Sequence, residues 1–162
     1  MRARPIGVLF VCTGNICRSP TAEEVFRKFV ADAGMSETIF ADSAGTHDYH
    51  VGEPPDPRAR EAASQRGYNL SALRARRVER ADFERFDLII AMDRGHLRAL
   101  SRMAQPAAAG KVKLMMSYAM SSGQDDVPDP YYGGPQDFER VLDMLEEAAR
   151  GLLDSLSRPS RE

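Results

Sequence analysis

The chain has 162 residues, of which 43% are hydrophobic and 28% charged, values typical of one globular domain with its own core. Its net charge of −2 gives no overall field that would attract nucleic acid or a membrane surface. No apolar run approaches the ~20 residues that a membrane-spanning helix needs, so neither kind of partner is expected. We predict one domain over residues 1–157 and a frayed tail over residues 158–162.

Apolar periodicity predicts strands and helices that alternate along the chain. Strands are predicted at residues 8–11, 38–41, 87–92 and 112–115. Helices or helical turns are predicted at residues 20–33, 58–66, 81–84, 93–103 and 136–156, with Gly34 and Gly67 as stops. Such alternation indicates an α/β fold, expected as a single three-layer domain whose central four-stranded parallel sheet carries helices on both faces.

The connection between the first strand and the first helix, residues 13–18, has the features of an anion site. Ser19, Pro20 and Glu23 predict the start of the helix, with Ser19 as N-cap and Glu23 closing a capping box. Backbone N–H groups converge in a tight loop of this kind, and the helix dipole adds positive potential.

Cys12 and Arg18 stand at the two ends of this loop. A thiol at a helix N-terminus beside a guanidinium should ionise readily, and the planar guanidinium matches two oxygens of a phosphate. Ser19 can donate a hydrogen bond to the thiolate. The alternative interpretation is a buried structural cysteine followed by a surface arginine. Gly14 and Asn15, which tolerate positive φ, favour instead a loop curled around an anion.

The motif Cys12-x5-Arg18-Ser19 is a phosphatase signature, and the longer run VCTGNICRSPTAE at residues 11–23 resembles the low-molecular-weight protein tyrosine phosphatase family. The resemblance covers nearly the whole chain. Further matching segments lie at residues 42–46, 55–59, 86–89, 92–93 and 129–132. The resemblance implies a protein-tyrosine phosphatase that hydrolyses phosphotyrosine and small aryl phosphates through a cysteinyl-phosphate intermediate.

Expulsion of a phenolate from such a substrate calls for a general acid, which contributes about 10²–10⁴ in rate. Asp129 is the candidate, because the family keeps its acid in an Asp-Pro-Tyr sequence at this distance from the C-terminus. Asp-Pro is also a common turn pair, and on the residues alone that reading would be preferred. Asp125 and Asp126 lie nearby but lack the context of proline and an aromatic residue.

The resemblance also implies a binding site around the loop. Tyr49 and Tyr131 match aromatic residues that wall a slot for the phosphotyrosyl ring. Asn15 and Ser43 match residues that hydrogen-bond beneath the loop and hold it open. Ile16 favours tyrosine, because relatives directed at phosphoarginine carry threonine there. The expected substrate- and phosphate-binding residues are therefore Thr13, Gly14, Asn15, Ile16, Cys17, Ser19, Tyr49 and Tyr131.

No metal or cofactor is expected, because His47, His50 and His96 lack the spacing of a metal site with a third ligand. The expected partners are phosphotyrosyl proteins, with inorganic phosphate as product or inhibitor, and the protein is expected to be a monomer. The apolar run after the basic start is too short for a signal peptide. With two cysteines and a thiol that must stay reduced, a cytoplasmic location is predicted.

Two residues raise separate questions. Many family members brace the loop with a histidine at the position that Leu73 occupies here, so the resemblance does not account for the support of the loop at this point. Cys17, at the far end of the loop, could form a disulfide with an oxidised Cys12 and protect it, or could simply pack as a small apolar residue.

Two other functions share features with this sequence. Arsenate reductases share this fold and loop, but they need further cysteines as a redox relay, and this chain has only Cys12 and Cys17. A phosphopeptide-binding module without catalysis would not need the complete set of Cys12, Arg18, Ser19 and Asp129.

Overall fold

The computed structural model describes residues 4–120 and 123–157, and within them four parallel strands form the central sheet. The predicted tail at residues 158–162 lies outside the described residues. The strands run in the order β2-β1-β3-β4. Their bounds are β1 Ile6–Cys12, β2 Ile39–Gly45, β3 Leu88–Ala91 and β4 Val112–Leu114.

Helices cover both faces of this sheet, which confirms the predicted three-layer α/β fold. The α-helices are α1 Arg18–Asp32, α2 Pro57–Ser64, α3 Asp82–Arg85, α4 Arg94–Met103 and α5 Pro135–Ser157. Short 3₁₀ turns at Pro106–Lys111 and Met115–Tyr118 flank β4. No helix of the described segments is both long and apolar enough to cross a membrane.

β1 is the centre of the core, because its side chains supply both apolar layers. Val8, Phe10 and Cys12 point to a large cluster shared with α1, α2 and α5. Leu9 and Val11 point to a smaller cluster on the opposite face, shared with α3 and α4. This period of two is what a strand buried on both faces requires. Full burial of each large side chain stabilises the fold by about 1.5–3 kcal/mol.

The predicted helix stops are confirmed at two glycines. Gly34 follows the end of α1 with φ of 72°, and Gly67 follows α2 with φ of 90°. Both angles lie in the left-handed region, which glycine adopts without a steric penalty.

The predicted capping box at the start of α1 is wrong. Cys17 is the N-cap residue and makes no side-chain cap hydrogen bond. The Ser19 hydroxyl lies instead 3.0 Å from the sulfur of Cys12, and Glu23 accepts a hydrogen bond from the Ser43 hydroxyl at 2.7 Å. Both side chains therefore serve partners on the neighbouring strands rather than the helix end.

β2 extends beyond the predicted strand at residues 38–41, because the residues from Asp42 to Gly45 continue the strand. Its pairing with β1 runs to the register of Cys12 with Gly45. A Cβ atom on Gly45 would lie 2.6 Å from the carbonyl oxygen of Thr13, so a larger residue would push the following loop away. Ser43 is polar but buried, because its hydroxyl finds partners beneath that loop.

The sheet places the candidate site at its carboxyl edge. β1 and β3 are neighbours and end beside one another, so Cys12, the last residue of β1, and Asp93, two residues after β3, lie at the ends of adjacent strands. The segment between β4 and α5 also reaches this edge, where the Val127 N–H donates to the carbonyl of Met92 at 2.8 Å. Ligands of open parallel sheets bind at such an edge.

Candidate active site

The Cys12 loop, residues 12–18, curls between the end of β1 and the start of α1. Asn15 has φ of 59°, as expected for a tight anion loop, whereas Gly14 is not in the left-handed region. A Cβ atom on Gly14 would lie 2.9 Å from Cδ2 of His50, so the glycine leaves room for that imidazole. The loop thus presents its backbone at the N-terminus of a 15-residue helix, where the dipole favours an anion.

The buried side chain of Asn15 determines the orientation of the Ser19 hydroxyl. The Arg76 backbone N–H can only donate, and it lies 3.0 Å from Asn15 Oδ1. Asn15 Nδ2 therefore donates to Ser19 Oγ at 2.8 Å. The Ser19 hydrogen remains for Cys12 Sγ at 3.0 Å, since the carbonyl of Ala44 is more distant at 3.4 Å.

Ser43 continues this network toward a buried carboxylate. It accepts from Asn15 Nδ2 at 3.0 Å and donates to Glu23 Oε1 at 2.7 Å. Glu23 is 1% exposed, and its other oxygen lies 2.7 Å from Arg27 Nη2. Burial raises the pKa of Glu23 to about 7, against the lowering effect of Ser43 and Arg27. The predicted loop support by Asn15 and Ser43 therefore has a matching geometry.

Arg18 is only 4% exposed, and hydrogen bonds hold its buried guanidinium in place. Its Nη1 atom donates to Asp93 Oδ2 and to the carbonyl of Val127, both at 2.9 Å. Its Nη2 atom lies 3.7 Å from Asp129 Oδ2. A planar fork anchored on one side presents its other N–H groups to a bound anion.

Asp129 faces the cleft, whereas its two nearby competitors do not line it. Its Oδ1 atom accepts from the Tyr131 N–H at 3.1 Å. Asp126 accepts from the backbone N–H of Arg94 at 3.0 Å, and Asp125 lies 3.9 Å from the same arginine's Nη1. The geometry thus separates Asp129 from Asp125 and Asp126, as the Asp-Pro-Tyr context predicts.

The cleft above the loop has a volume of about 270 Å³. Two tyrosines line it: Tyr49, stacked on His47 at a centroid distance of 4.9 Å, and Tyr131, beside the Arg58 guanidinium at 5.5 Å. The structure therefore brings the predicted site residues together, with Asn15, Ser19 and Ser43 beneath. The residues that line the cleft are Cys12, Thr13, Gly14, Ile16, Cys17, Arg18, Tyr49, His50, Asp129, Tyr131 and Tyr132.

Cys17 differs from Cys12 in its chemical setting. It is 6% exposed, and burial raises the pKa of its thiol well above the ordinary value, with the nearby Asp56 and Cys12 adding to the effect. Cys17 therefore stays protonated in the resting site. In the described residues, no group of three or more His, Cys, Asp or Glu side chains is arranged to hold a metal ion.

Leu73, the residue in place of the bracing histidine, is partly buried and packs against the larger apolar cluster. The Asn15 side chain is nevertheless fully engaged. Its oxygen accepts from Arg76, and its two N–H groups serve Ser19 and Ser43.

The sequence pointed to His96 only as a possible metal ligand and did not predict its contact with the Cys12 loop. Its Nε2 atom lies 2.8 Å from Thr13 Oγ1, and its backbone N–H donates to Asp93 Oδ1 at 2.9 Å. Asp93 was noted only as part of the matching segment at residues 92–93. The usable signal was the position of both residues just after β3, which neighbours β1 in the sheet.

Comparisons with known proteins agree with this geometry. The model of the family "Low molecular weight phosphotyrosine protein phosphatase" matches residues 7–162. A low molecular weight protein-tyrosine-phosphatase of Streptomyces coelicolor is 52% identical over 149 residues, 90% of each chain.

Solved structures show the same likeness. A protein tyrosine phosphatase of Entamoeba histolytica, with Hepes in its active site, superposes with a TM-score of 0.91 at 40% identity, covering 93% of this chain and 96% of that one. YfkJ of Bacillus subtilis gives a TM-score of 0.90 at 40% identity, covering 96% and 97%. The chain therefore belongs to the low molecular weight phosphotyrosine protein phosphatase family, and its activity is that of a protein-tyrosine phosphatase.

Proposed function

We propose that Cys12, Arg18 and Asp129 carry out phosphotyrosine hydrolysis in two steps, with Cys12 as nucleophile, Arg18 as the phosphoryl clamp and Asp129 as general acid and base. The observation that supports this most directly is their convergence on one cleft at the N-terminus of α1. Asp129 Oδ2 lies 3.7 Å from Arg18 Nη2 and lines the same cleft, so it can reach the leaving group of a phosphoryl ester held by Arg18.

In the first step, the Cys12 thiolate attacks phosphorus, so that an S–P bond forms as the bond from phosphorus to the phenolic oxygen breaks. The Asp129 carboxyl gives its proton to that oxygen, and a neutral phenol leaves. The N–H groups of the Cys12 loop and the free N–H groups of Arg18 hold the phosphoryl oxygens, where charge is greatest in the transition state.

In the second step, water attacks phosphorus of the cysteinyl-phosphate and the S–P bond breaks. The Asp129 carboxylate takes the water's proton, which restores the acid for the next turnover. The Ser19 hydroxyl donates a hydrogen bond to the departing Cys12 thiolate and so stabilises its negative charge, as its orientation in the resting site prepares it to do.

The substrate class follows from the walls of the cleft. Tyr49, which is 66% exposed, and Tyr131, whose backbone N–H donates to Asp129, both line the cleft above the loop, where an aromatic ring of the substrate can stack on them. Ile16 adds an apolar surface that suits a phenyl ring. The proposed substrates are therefore phosphotyrosyl proteins, with small aryl phosphates as substitutes and inorganic phosphate as product and competitive inhibitor.

The proposal extends to the setting of the enzyme, a monomer in the cytoplasm, where Cys12 stays reduced. Fractionation of cells and light scattering of the purified protein test these two points.

A turnover assay tests the proposed chemistry. The protein should hydrolyse p-nitrophenyl phosphate and a phosphotyrosyl peptide, equally well with and without a metal chelator. Phosphoseryl and phosphoarginyl peptides of the same sequence should react far more slowly. Preference for phosphoarginine would refute the substrate assignment, and no turnover by the reduced protein would refute the catalytic assignment.

A further inference from the structure

His96 lies in the first turn of α4, below the Cys12 loop, and is only 5% exposed. Its ring stands between two parts of the site that are separate in the chain. Nε2 lies 2.8 Å from the Thr13 hydroxyl, next to the nucleophile, and Nδ1 lies 3.0 Å from Asp93 Oδ1.

The carboxylate of Asp93 determines which nitrogen of His96 carries the proton. A carboxylate only accepts, and hydrogen bonds from His96 N–H and Arg18 lower the pKa of Asp93 despite its partial burial. Nδ1 makes no directed hydrogen bond within the described residues, but a lone pair on Nδ1 would face this carboxylate oxygen at 3.0 Å and be repelled by it, whereas an N–H there is attracted. The proton therefore sits on Nδ1.

Nε2 is then an acceptor, and the Thr13 hydroxyl must donate to it. Burial lowers the pKa of His96 to about 4, so the ring is neutral and keeps this lone pair through the neutral range. The hydroxyl hydrogen of Thr13 therefore points at Nε2, and this hydrogen bond holds the Thr13 side chain in its rotamer.

Asp93 connects the same imidazole to the catalytic arginine. While Oδ1 accepts from the His96 backbone and faces its ring, Oδ2 accepts from Arg18 Nη1 at 2.9 Å. His96 therefore touches the first residue after the nucleophile and the carboxylate that anchors the guanidinium. These two parts of the site must keep a constant separation to grip one phosphoryl group.

We propose that His96 is a positioning residue, which holds Thr13 of the Cys12 loop in register with the Arg18 guanidinium through its contacts to Thr13 and Asp93. This inference rests on the proposed function of the loop as the phosphoryl site. Loss of the imidazole would leave the Thr13 hydroxyl without its acceptor and would remove the ring that faces Asp93 Oδ1, while the His96 backbone N–H would still donate to that oxygen. The loop would then be less preorganised for an anion, while Asp129 would be undisturbed.

Three variants at this position separate the two contacts. His96→Gln can return an acceptor near Nε2, His96→Asn can return a donor near Nδ1, and His96→Ala returns neither. Arg98→Ala, on the exposed face of the same helix, is the matched control and should behave as wild type.

For His96→Ala, we expect kcat/KM for p-nitrophenyl phosphate to fall by about tenfold to a hundredfold, and the Ki of inorganic phosphate to rise by a similar factor. The dependence of kcat on leaving group should stay that of wild type, because the proton donor is intact. His96→Gln should recover most of the phosphate affinity. Unchanged phosphate affinity in His96→Ala would overturn the proposal.

A double-mutant cycle with Thr13→Val asks whether the two residues act together. Valine keeps the shape and the backbone N–H but lacks the hydroxyl. The double variant with His96→Ala should be scarcely worse than the more damaged single variant. Fully additive losses would show that His96 acts through general packing and not through Thr13.

Nitrogen NMR of the wild-type protein tests the geometry without any variant. At pH 7, His96 should show a protonated Nδ1 and an unprotonated Nε2. Binding of inorganic phosphate should change the chemical shift of Nε2. A protonated Nε2 would refute the inference even if every His96 variant failed to fold. A wild-type protein that binds no phosphate and turns nothing over would instead refute the proposed function.

Discussion

Nη2 of Arg18 lies 3.7 Å from Oδ2 of Asp129, although the two residues belong to opposite halves of the chain. Asp93 and the carbonyl of Val127 hold the other side of the same guanidinium. The proposed clamp and the proposed acid are therefore adjacent before any substrate arrives. A phosphate bound between the Cys12 loop and Arg18 would place its ester oxygen within reach of Asp129.

The nucleophile assignment predicts that Cys12→Ser abolishes turnover but still binds inorganic phosphate, because the loop N–H groups and Arg18 remain. Steady-state assays and calorimetric titration measure the two effects. Activity above about a hundredth of wild type would contradict the assignment. Arg18→Lys should be nearly as damaging, since a point charge cannot keep the contacts to Asp93 and Val127 while gripping a phosphate.

The acid assignment predicts that Asp129→Ala slows aryl phosphates with poor leaving groups far more than activated ones, because only the former need the proton. A series of substituted phenyl phosphates measures this slope. Asp126→Ala is the matched control and should leave the slope unchanged, because that carboxylate serves the backbone of Arg94. Equal losses across the series in Asp129→Ala would show that another group donates the proton.

Leu73 offers a test of the loop's support. If the loop lacked a brace because Leu73 replaces the histidine, Leu73→His would stiffen the loop and raise thermal stability or phosphate affinity. The hydrogen bonds of Asn15 lead us to expect no such gain, because each of its polar atoms already has a partner and Leu73 packs against apolar side chains. A thermal melt of Leu73→His should show a lower Tm and unchanged phosphate affinity. A higher Tm would mean that the histidine supplies a missing brace.

Glu23 should make stability depend on pH. Burial raises its pKa from 4.5 to about 7, with Asp42 and Glu24 adding to the shift and Ser43 and Arg27 opposing it. The folded state therefore holds a proton that the unfolded chain releases, and stability falls as pH rises from about 4.5 to 7. The loss amounts to about 3 kcal/mol at most.

Glu23→Gln removes this titration. Urea unfolding measures the free energy of unfolding of Glu23→Gln and of wild type at each pH. The difference, variant minus wild type, should be larger at pH 8 than at pH 5. Glu61→Gln, at an exposed position of α2, serves as control and should show the same difference from wild type at both values. A Glu23→Gln curve parallel to wild type across this range would mean that the buried carboxylate titrates normally.

Cys17 is the candidate for protecting the nucleophile from oxidation. Peroxide should convert Cys12 to a sulfenic acid, and Cys17 should then displace its oxygen as water and form an S–S bond, which dithiothreitol reduces. The raised pKa of the Cys17 thiol should make this closure slow at neutral pH and faster in alkaline solution. Mass spectrometry detects the bond. Cys17→Ser should lose recoverable activity; full recovery of this variant would leave Cys17 a packing residue.

Local patterns determined the elements of this protein. The continuous apolar run of β1 encodes a strand buried on both faces, and Gly34 and Gly67 end helices through their left-handed backbone. The loop between Cys12 and Arg18 is also local, since one strand, one turn and one helix form it. Such features depend on neighbours in sequence, which a pattern can reveal.

Tertiary structure alone decided which partners the polar side chains have. Ser19 and Glu23 match a helix cap in sequence, yet they face Cys12 and Ser43 because the adjacent strands bring these buried partners within reach. His96 likewise meets Thr13 only because β1 and β3 end side by side. A buried polar group must find its hydrogen bond wherever the packing places one, and that position is not encoded in the local sequence.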